Sequence, residues 1–213
     1  PVVDLKKFTE GNDAQREEFV QEIGQAFHEV GFVGVRNHGV PQEVVDGYYE
    51  ASKAFFSLPV DQKRAYEIPG LAGQRGYTAF GTEKAKQSKV ADLKEFYQLG
   101  QVQDNKDKEE YPDNPFTTEV PEFTELGIKL YKAFEKSGGA LLRAIALHLQ
   151  LDENYFDDKI DNGHSILRSI HYPPITHEPK SAIRAEQHED INLITLLVGA
   201  SAGGLQLLNA EDE

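Results

Sequence analysis

The chain has 213 residues, of which 39% are hydrophobic and 27% charged, ordinary globular values that exclude a disordered tail or a collagen-like rod. Its 22 basic and 36 acidic side chains leave a formal charge of −14, which repels a phosphate backbone and argues against nucleic acid or an anionic membrane as partner. There is no cysteine, so disulfides, thiolate nucleophiles and iron–sulfur ligation are excluded together, and any metal must be held by histidine and carboxylate.

In chain order, residues 1–8 (PVVDLKKF) predict an edge strand. Asn12 followed three residues later by Gln15 has the form of a capping box, and Phe19, Ile23, Ala26, Phe27 and Val30 then recur at helical spacing until Gly31. Phe32, Val33 and Val35 predict a short strand. The turn residues Asn37, His38, Gly39 and Pro41 lead into a second helical pattern with Val44, Val45, Tyr48 and Phe55. Residues 69–81 mix glycine and proline with Tyr77 and Phe80, which predicts an ordered loop of the kind that lines sites; Arg75, Tyr77 and Phe80 are its candidate substrate contacts, and a packed loop is the plainer reading of them. Residues 92–99 (DLKEFYQL) alternate as a strand, and 103–115 read as a polar surface excursion. The longest helical pattern covers 121–151, with a candidate kink at Gly138-Gly139. Beyond His164, short β-rich runs broken by Pro173-Pro174 and Gly203-Gly204 predict a sandwich or barrel. No apolar run reaches the roughly 18 residues of a bilayer span, and the expectation is a soluble, cytoplasmic protein.

Within QHEDINLITLL, His188 and Asp190 are the candidate metal ligands. Alternate side chains of a strand share a face, so an imidazole and a carboxylate two residues apart can meet one cation. The H-x-D pattern alone is weak, because this composition yields roughly 0.5 such pairs by chance. The apolar run that follows adds weight by placing the pair at the start of a core strand. With one further histidine the set becomes the facial triad of non-haem Fe(II) oxygenases; His164, His171 and His177 lie upstream, and a core or surface role is the plainer reading of each. In ILRSIHYPP, Arg168, Ile170 and Tyr172 share one strand face, with His171 on the other. The guanidinium and the phenol suit a carboxylate, and a solvated arginine beside a core tyrosine explains them equally well.

Several separated segments together resemble one family, the isopenicillin N synthase-like Fe(II)- and 2-oxoglutarate-dependent oxygenases. PVVDLKKF, GFVGVRNHGVP and KAFFSLP resemble its N-terminal region, RGYTAFG and DLKEFYQLG its middle, and RSIHYPP, QHEDINLITLL and GGLQLL the start of its catalytic core. The resemblance implies an α+β protein with a mainly β core, a distorted double-stranded β-helix or jelly roll. The implied layout is a single domain over 1–213: an N-terminal helical region over 1–120, a spine helix and turn over 121–160, and the first strands of the β-helix over 161–213. It implies Fe(II) on His188 and Asp190, 2-oxoglutarate as co-substrate held by Tyr172 with Arg168 nearby, and oxidation of a small organic molecule by dioxygen. His38 matches a turn element of the family. Ile170 stands where many plant members carry asparagine, and the family's distal histidine and Arg-x-Ser motif would lie beyond Glu213. A strand ending near Leu208 with no partner leaves a barrel unclosed, so the expectation is that further chain completes it. Two other readings stay open: an oxidase of the same fold that uses no 2-oxoglutarate, and a non-catalytic binding module with an incomplete metal site.

Overall fold

The computed structural model describes residues 1–83, 92–103, 112–176, 184–185, 187–199 and 203–207. The chain divides into two compact units. The first takes Pro1–Val40, Phe134–Asp161 and Asn192–Glu213. It opens with strand β1 (Val2–Asp4), shorter than the run 1–8 predicts. The Asp4 carboxylate accepts a hydrogen bond from the Lys6 N–H at 3.1 Å, which caps helix α1 (Leu5–Thr9) and turns Leu5 and Phe8 inward together. Helix α2 (Asp13–Glu29) starts at the predicted capping box: Asn12 accepts from the Gln15 N–H, and Gln15 accepts from the Asn12 N–H, both at 3.0 Å. Its buried face is Phe19, Val20, Ile23, Gly24 and Ala26. Phe27 and Val30, predicted to be part of that stripe, are exposed because the last turn buries no apolar side chain beyond Ala26.

Gly31, at φ +75°, takes the left-handed conformation that ends α2. Strand β2 (Gly34–Arg36) then pairs parallel with β1, Val3 opposite Val35, and the two helices serve as the crossover a parallel pair requires. The core of this unit joins Val3, Leu5, Phe8, Phe19, Val20 and Ile23 to Leu141 and Ala144 of helix α5 (Pro121–His148). A smaller cluster gathers Leu142, Ala146 and Phe156 next to helix α6 (Asp157–Ile160). The glycine pair does not interrupt α5. A Cβ on Gly138 would stand 3.1 Å from Leu196 and one on Gly139 3.7 Å from Ile160, so the pair lets neighbouring side chains approach the helix closely.

The second unit takes Pro41–Ala133 and Asn162–Ile191. Helices α3 (Gln42–Phe56) and α4 (Val60–Arg64) precede an antiparallel sheet in the order β3 (Gly76–Thr78), β4 (Glu95–Gly100), β5 (Ile166–His171). Residues 69–81 are therefore not wholly loop: the backbone of Gly76–Thr78 finds partners along β4, Tyr77 opposite Tyr97. Gly76 admits the close approach, at φ +72° with a notional Cβ only 2.2 Å from the Tyr66 carbonyl oxygen. As the central strand, β4 is buried at every residue. Phe55 is the middle of this core, stacked on Phe123 at 4.6 Å between ring centres and edge-on to Tyr97 at 5.1 Å. Three polar contacts fasten β5: Tyr131 donates to the Ser165 carbonyl at 3.2 Å, the Tyr48 hydroxyl meets Ser169 Oγ at 2.6 Å, and His171 meets Glu95 at 2.8 Å.

Among the described residues no strand follows β5. The apolar runs predicted as strands, 191–198 and 205–208, have no ladder partner among the described residues, which reach 207, and an apolar run is a strand only where one lies alongside. Here the described chain is helical with two small sheets. No helix among the described residues is long and apolar enough to cross a membrane.

Candidate functional site

β4 places a carboxylate where an apolar side chain would be expected. Glu95 shares a strand face with Tyr97 and Leu99 and is 3% exposed. Its oxygens accept from Lys63 Nζ at 2.8 and 2.9 Å, from the Tyr77 hydroxyl, and meet His171 Nδ1 at 2.8 Å. Lys63, equally buried, also donates to the Phe56 carbonyl at 3.0 Å. Burial pushes the Glu95 carboxyl up, but the hydrogen bonds from Lys63, Tyr77 and His171 and the Lys63 charge outweigh it, and its pKa lies below the ordinary carboxylate value. The Tyr77 phenol is pushed up, first by burial and then by its bond to Glu95. Sequence reasoning missed this hub. The alternation of DLKEFYQL already put Glu95 on the inward face, where a charge requires a buried partner.

On the other face of the sheet lie Arg168 and Ile170, as their alternation predicts, and His171 faces the core. Arg168 is already occupied. Its Nε donates to Gln98 Oε1 at 3.1 Å, its Nη1 meets Glu83 at 3.2 Å, and its guanidinium lies 4.4 Å from the centre of the Phe96 ring. Glu83 also holds Lys94 at 2.7 Å. The carboxylate that Arg168 binds is thus one of the protein's own. Tyr172 follows the last rung of β5 and is 36% exposed, with the apolar side chains of Ile166 and Ile170 exposed earlier on the strand.

His188 Nε2 and Asp190 Oδ1 stand 3.8 Å apart, both side chains more than half exposed. The two converge, in a segment that is not helical. Two ligands about 2.1 Å from one ion and about 90° apart lie about 3 Å from each other, so a small rotation brings the pair onto a shared cation. Among the described residues no third histidine or carboxylate joins them. His171 is committed to Glu95, and His177 lies outside the described residues. His38 does serve a turn, its Nδ1 accepting from the Val40 N–H at 3.2 Å.

Of the three predicted substrate contacts, Arg75 and Tyr77 are interior residues and Phe80 is 48% exposed. Tyr77 is spent on Glu95. The Arg75 guanidinium lies over Gly100, where a Cβ would come within 1.9 Å of Cζ, and donates from Nη1 to the Gln74 carbonyl at 2.7 Å. Its Nε is buried without a partner among the described residues, and burial lowers its pKa from the ordinary guanidinium value. Of the three, Phe80 alone is exposed to solvent.

The family model described as non-haem dioxygenase in morphine synthesis N-terminal matches residues 1–119, more than half of the chain. Proline hydroxylase buaE of Petromyces alliaceus is 33% identical over 96% of this chain and 66% of its own length. A 2OG-Fe(II) oxygenase family protein from Caulobacter crescentus superimposes with a TM-score of 0.84 at 35% identity, covering 100% of this chain and 68% of its own. A full-length Neurospora crassa protein solved in complex with alpha-KG follows at 0.75 and 28%, covering 88% and 60%. The chain spans 61–66% of the length of the curated relatives it matches. The motifs, the fold of both units and these likenesses agree, and the chain belongs to the Fe(II)- and 2-oxoglutarate-dependent oxygenase family.

Proposed function

We propose that the protein is a non-haem Fe(II) oxygenase that consumes 2-oxoglutarate and dioxygen to oxidise a small organic substrate, with His188 and Asp190 as two metal ligands and Tyr172 as a co-substrate contact. The observation that carries this reading is the 3.8 Å approach of an imidazole nitrogen and a carboxylate oxygen in a family whose members are named for Fe(II) and 2-oxoglutarate. Cysteine-free chemistry fits, since imidazole and carboxylate are the donors that leave coordination positions open for oxygen ligands. Bound Fe(II) supplies the dioxygen chemistry that no side chain can perform. The chain's own work is to bind and orient. The Tyr172 hydroxyl is a donor suited to a co-substrate carboxylate, and on the face before it the exposed Ile166 and Ile170 stand on either side of the Arg168–Glu83 ion pair. Arg168 reaches a second carboxylate only by releasing Glu83 or by using its remaining nitrogen. The family likeness supports a jelly-roll core of which β5 is one strand.

Anaerobic Fe(II) titration of the full-length protein tests the ligands. Tight binding lost in both His188→Ala and Asp190→Ala supports them, and unchanged binding in either variant removes that residue from the site. Succinate formed in step with dioxygen consumption supports the co-substrate; dioxygen consumption without succinate assigns the reaction to an oxidase instead.

A further inference from the structure

Tyr172 is the first residue past the last rung of the β4–β5 ladder, where Glu95 faces His171, and Pro173 follows it. A residue before proline is held extended, so the backbone of Tyr172 is restricted on its C-terminal side. On its N-terminal side the constraint is His171, and that ring is gripped twice. Nδ1 meets Glu95 Oε1 at 2.8 Å, and the ring stacks on Phe56 with centres 5.2 Å apart and planes 26° from parallel. Both grips lead back to one ammonium: Lys63 Nζ binds the Glu95 carboxylate and also the Phe56 carbonyl. The carboxylate does not need His171 for its charge, because Lys63 and Tyr77 already donate to it. Nor does the ring need Glu95 for its own solvation, with 38% of its side chain exposed. The contact is surplus as charge compensation and direct as geometry.

We infer that His171 is a positioning residue: held between Glu95 and Phe56, it sets the direction in which Tyr172 leaves β5 and thereby the affinity for 2-oxoglutarate. This rests on the assignment of Tyr172 to the co-substrate made above. His171→Phe keeps the stack on Phe56 and loses the nitrogen, while His171→Asn places an amide where Nδ1 stood and keeps a bond to Glu95. The experiment is calorimetric titration of 2-oxoglutarate into full-length, Fe(II)-loaded protein without dioxygen, with Fe(II) affinity and melting temperature measured on the same samples and Tyr172→Phe as calibration. H171F weakens 2-oxoglutarate binding about tenfold with Fe(II) affinity unchanged and no more than the small loss of melting temperature that one missing hydrogen bond brings, and H171N stays within about threefold of wild type. Should H171F not fold, His171→Leu takes its place in the same comparison. Wild-type affinity in the folded nitrogen-free variant, or equal losses in H171F and H171N, overturns the inference and leaves the function standing. A wild-type protein that binds Fe(II) but no 2-oxoglutarate overturns both.

Discussion

Replacing Lys63 by methionine removes the ammonium from a carboxylate whose side chain is 4% exposed, while an aliphatic stem of similar length still fills the space. Breaking one side of a buried ion pair costs about 3–5 kcal/mol, because the remaining charge stays desolvated. Tyr77 and His171 continue to donate to Glu95, which places the loss near the lower end, about 3 kcal/mol at neutral pH. The pH dependence has a definite sign. In the wild type, Glu95 titrates below the ordinary carboxylate value, so its contribution is fully present above the unfolded pKa of about 4.3 and is lost as pH falls through the lower folded value. Removing Lys63 moves the folded pKa of Glu95 upward, and the variant takes up its proton at a higher pH than the wild type. The stability gap between the two proteins must therefore narrow as the solution is acidified. Urea unfolding of both at neutral pH and at two points below pH 5 measures it. A loss under about 1 kcal/mol at neutral pH, or a gap that widens toward acid, refutes the description of Glu95 as a buried hub held ionised by Lys63.

Other substitutions test other parts of the fold. Gly24→Ala sets a methyl group about 2.1 Å from the His148 ring, and overpacking of this kind costs about 1–3 kcal/mol, more than alanine's helix preference returns; thermal melts should show the loss, and His148→Ala in the same chain should relieve it. Asn12→Ala deletes the side-chain half of the α2 capping box and should lower unfolding free energy by about 1 kcal/mol, whereas Asn12→Asp or Asn12→Ser should not. Tyr48→Phe removes the hydroxyl that meets Ser169 at 2.6 Å; a loss of about 1 kcal/mol is expected, together with faster amide exchange in β5, and unchanged exchange there would show that the contact does not fasten the strand.

Local chemistry made the longer helices legible. The Asn12–Gln15 box, the stop at Gly31 and the apolar spacing of α2, α3 and α5 are written in neighbouring residues, and those elements stand where the spacing puts them. Legibility ended where a partner distant in sequence decides the outcome. Gly76–Thr78 became a strand because β4 lies beside it, and the glycine pair of α5 passed without a break because side chains from elsewhere fill the space it leaves. At the site, alternation sorted Arg168 from His171 on β5 correctly, yet nothing local announced that Arg168 would be taken by Glu83, 85 residues away, or that Tyr77 would be drawn inward by Glu95. The 3.8 Å approach of His188 and Asp190 joins residues separated by two in the sequence, which is why it could be anticipated.

Two of the fastenings of β5, those of Ser169 and His171, also resolve an ambiguity that its apolar pattern leaves. A strand with period two looks nearly the same after sliding by two residues, since inward side chains stay inward and outward ones stay outward. Such a slip would carry Tyr172 about 6.6 Å along the sheet. Hydrophobicity scarcely opposes it, but Tyr48 and Glu95 each recognise one particular side chain, Ser169 and His171, and a shifted strand would forfeit both bonds together. Polar contacts of modest individual strength thus act as an alignment key, choosing one among several threadings that oil-like forces would rate as equals.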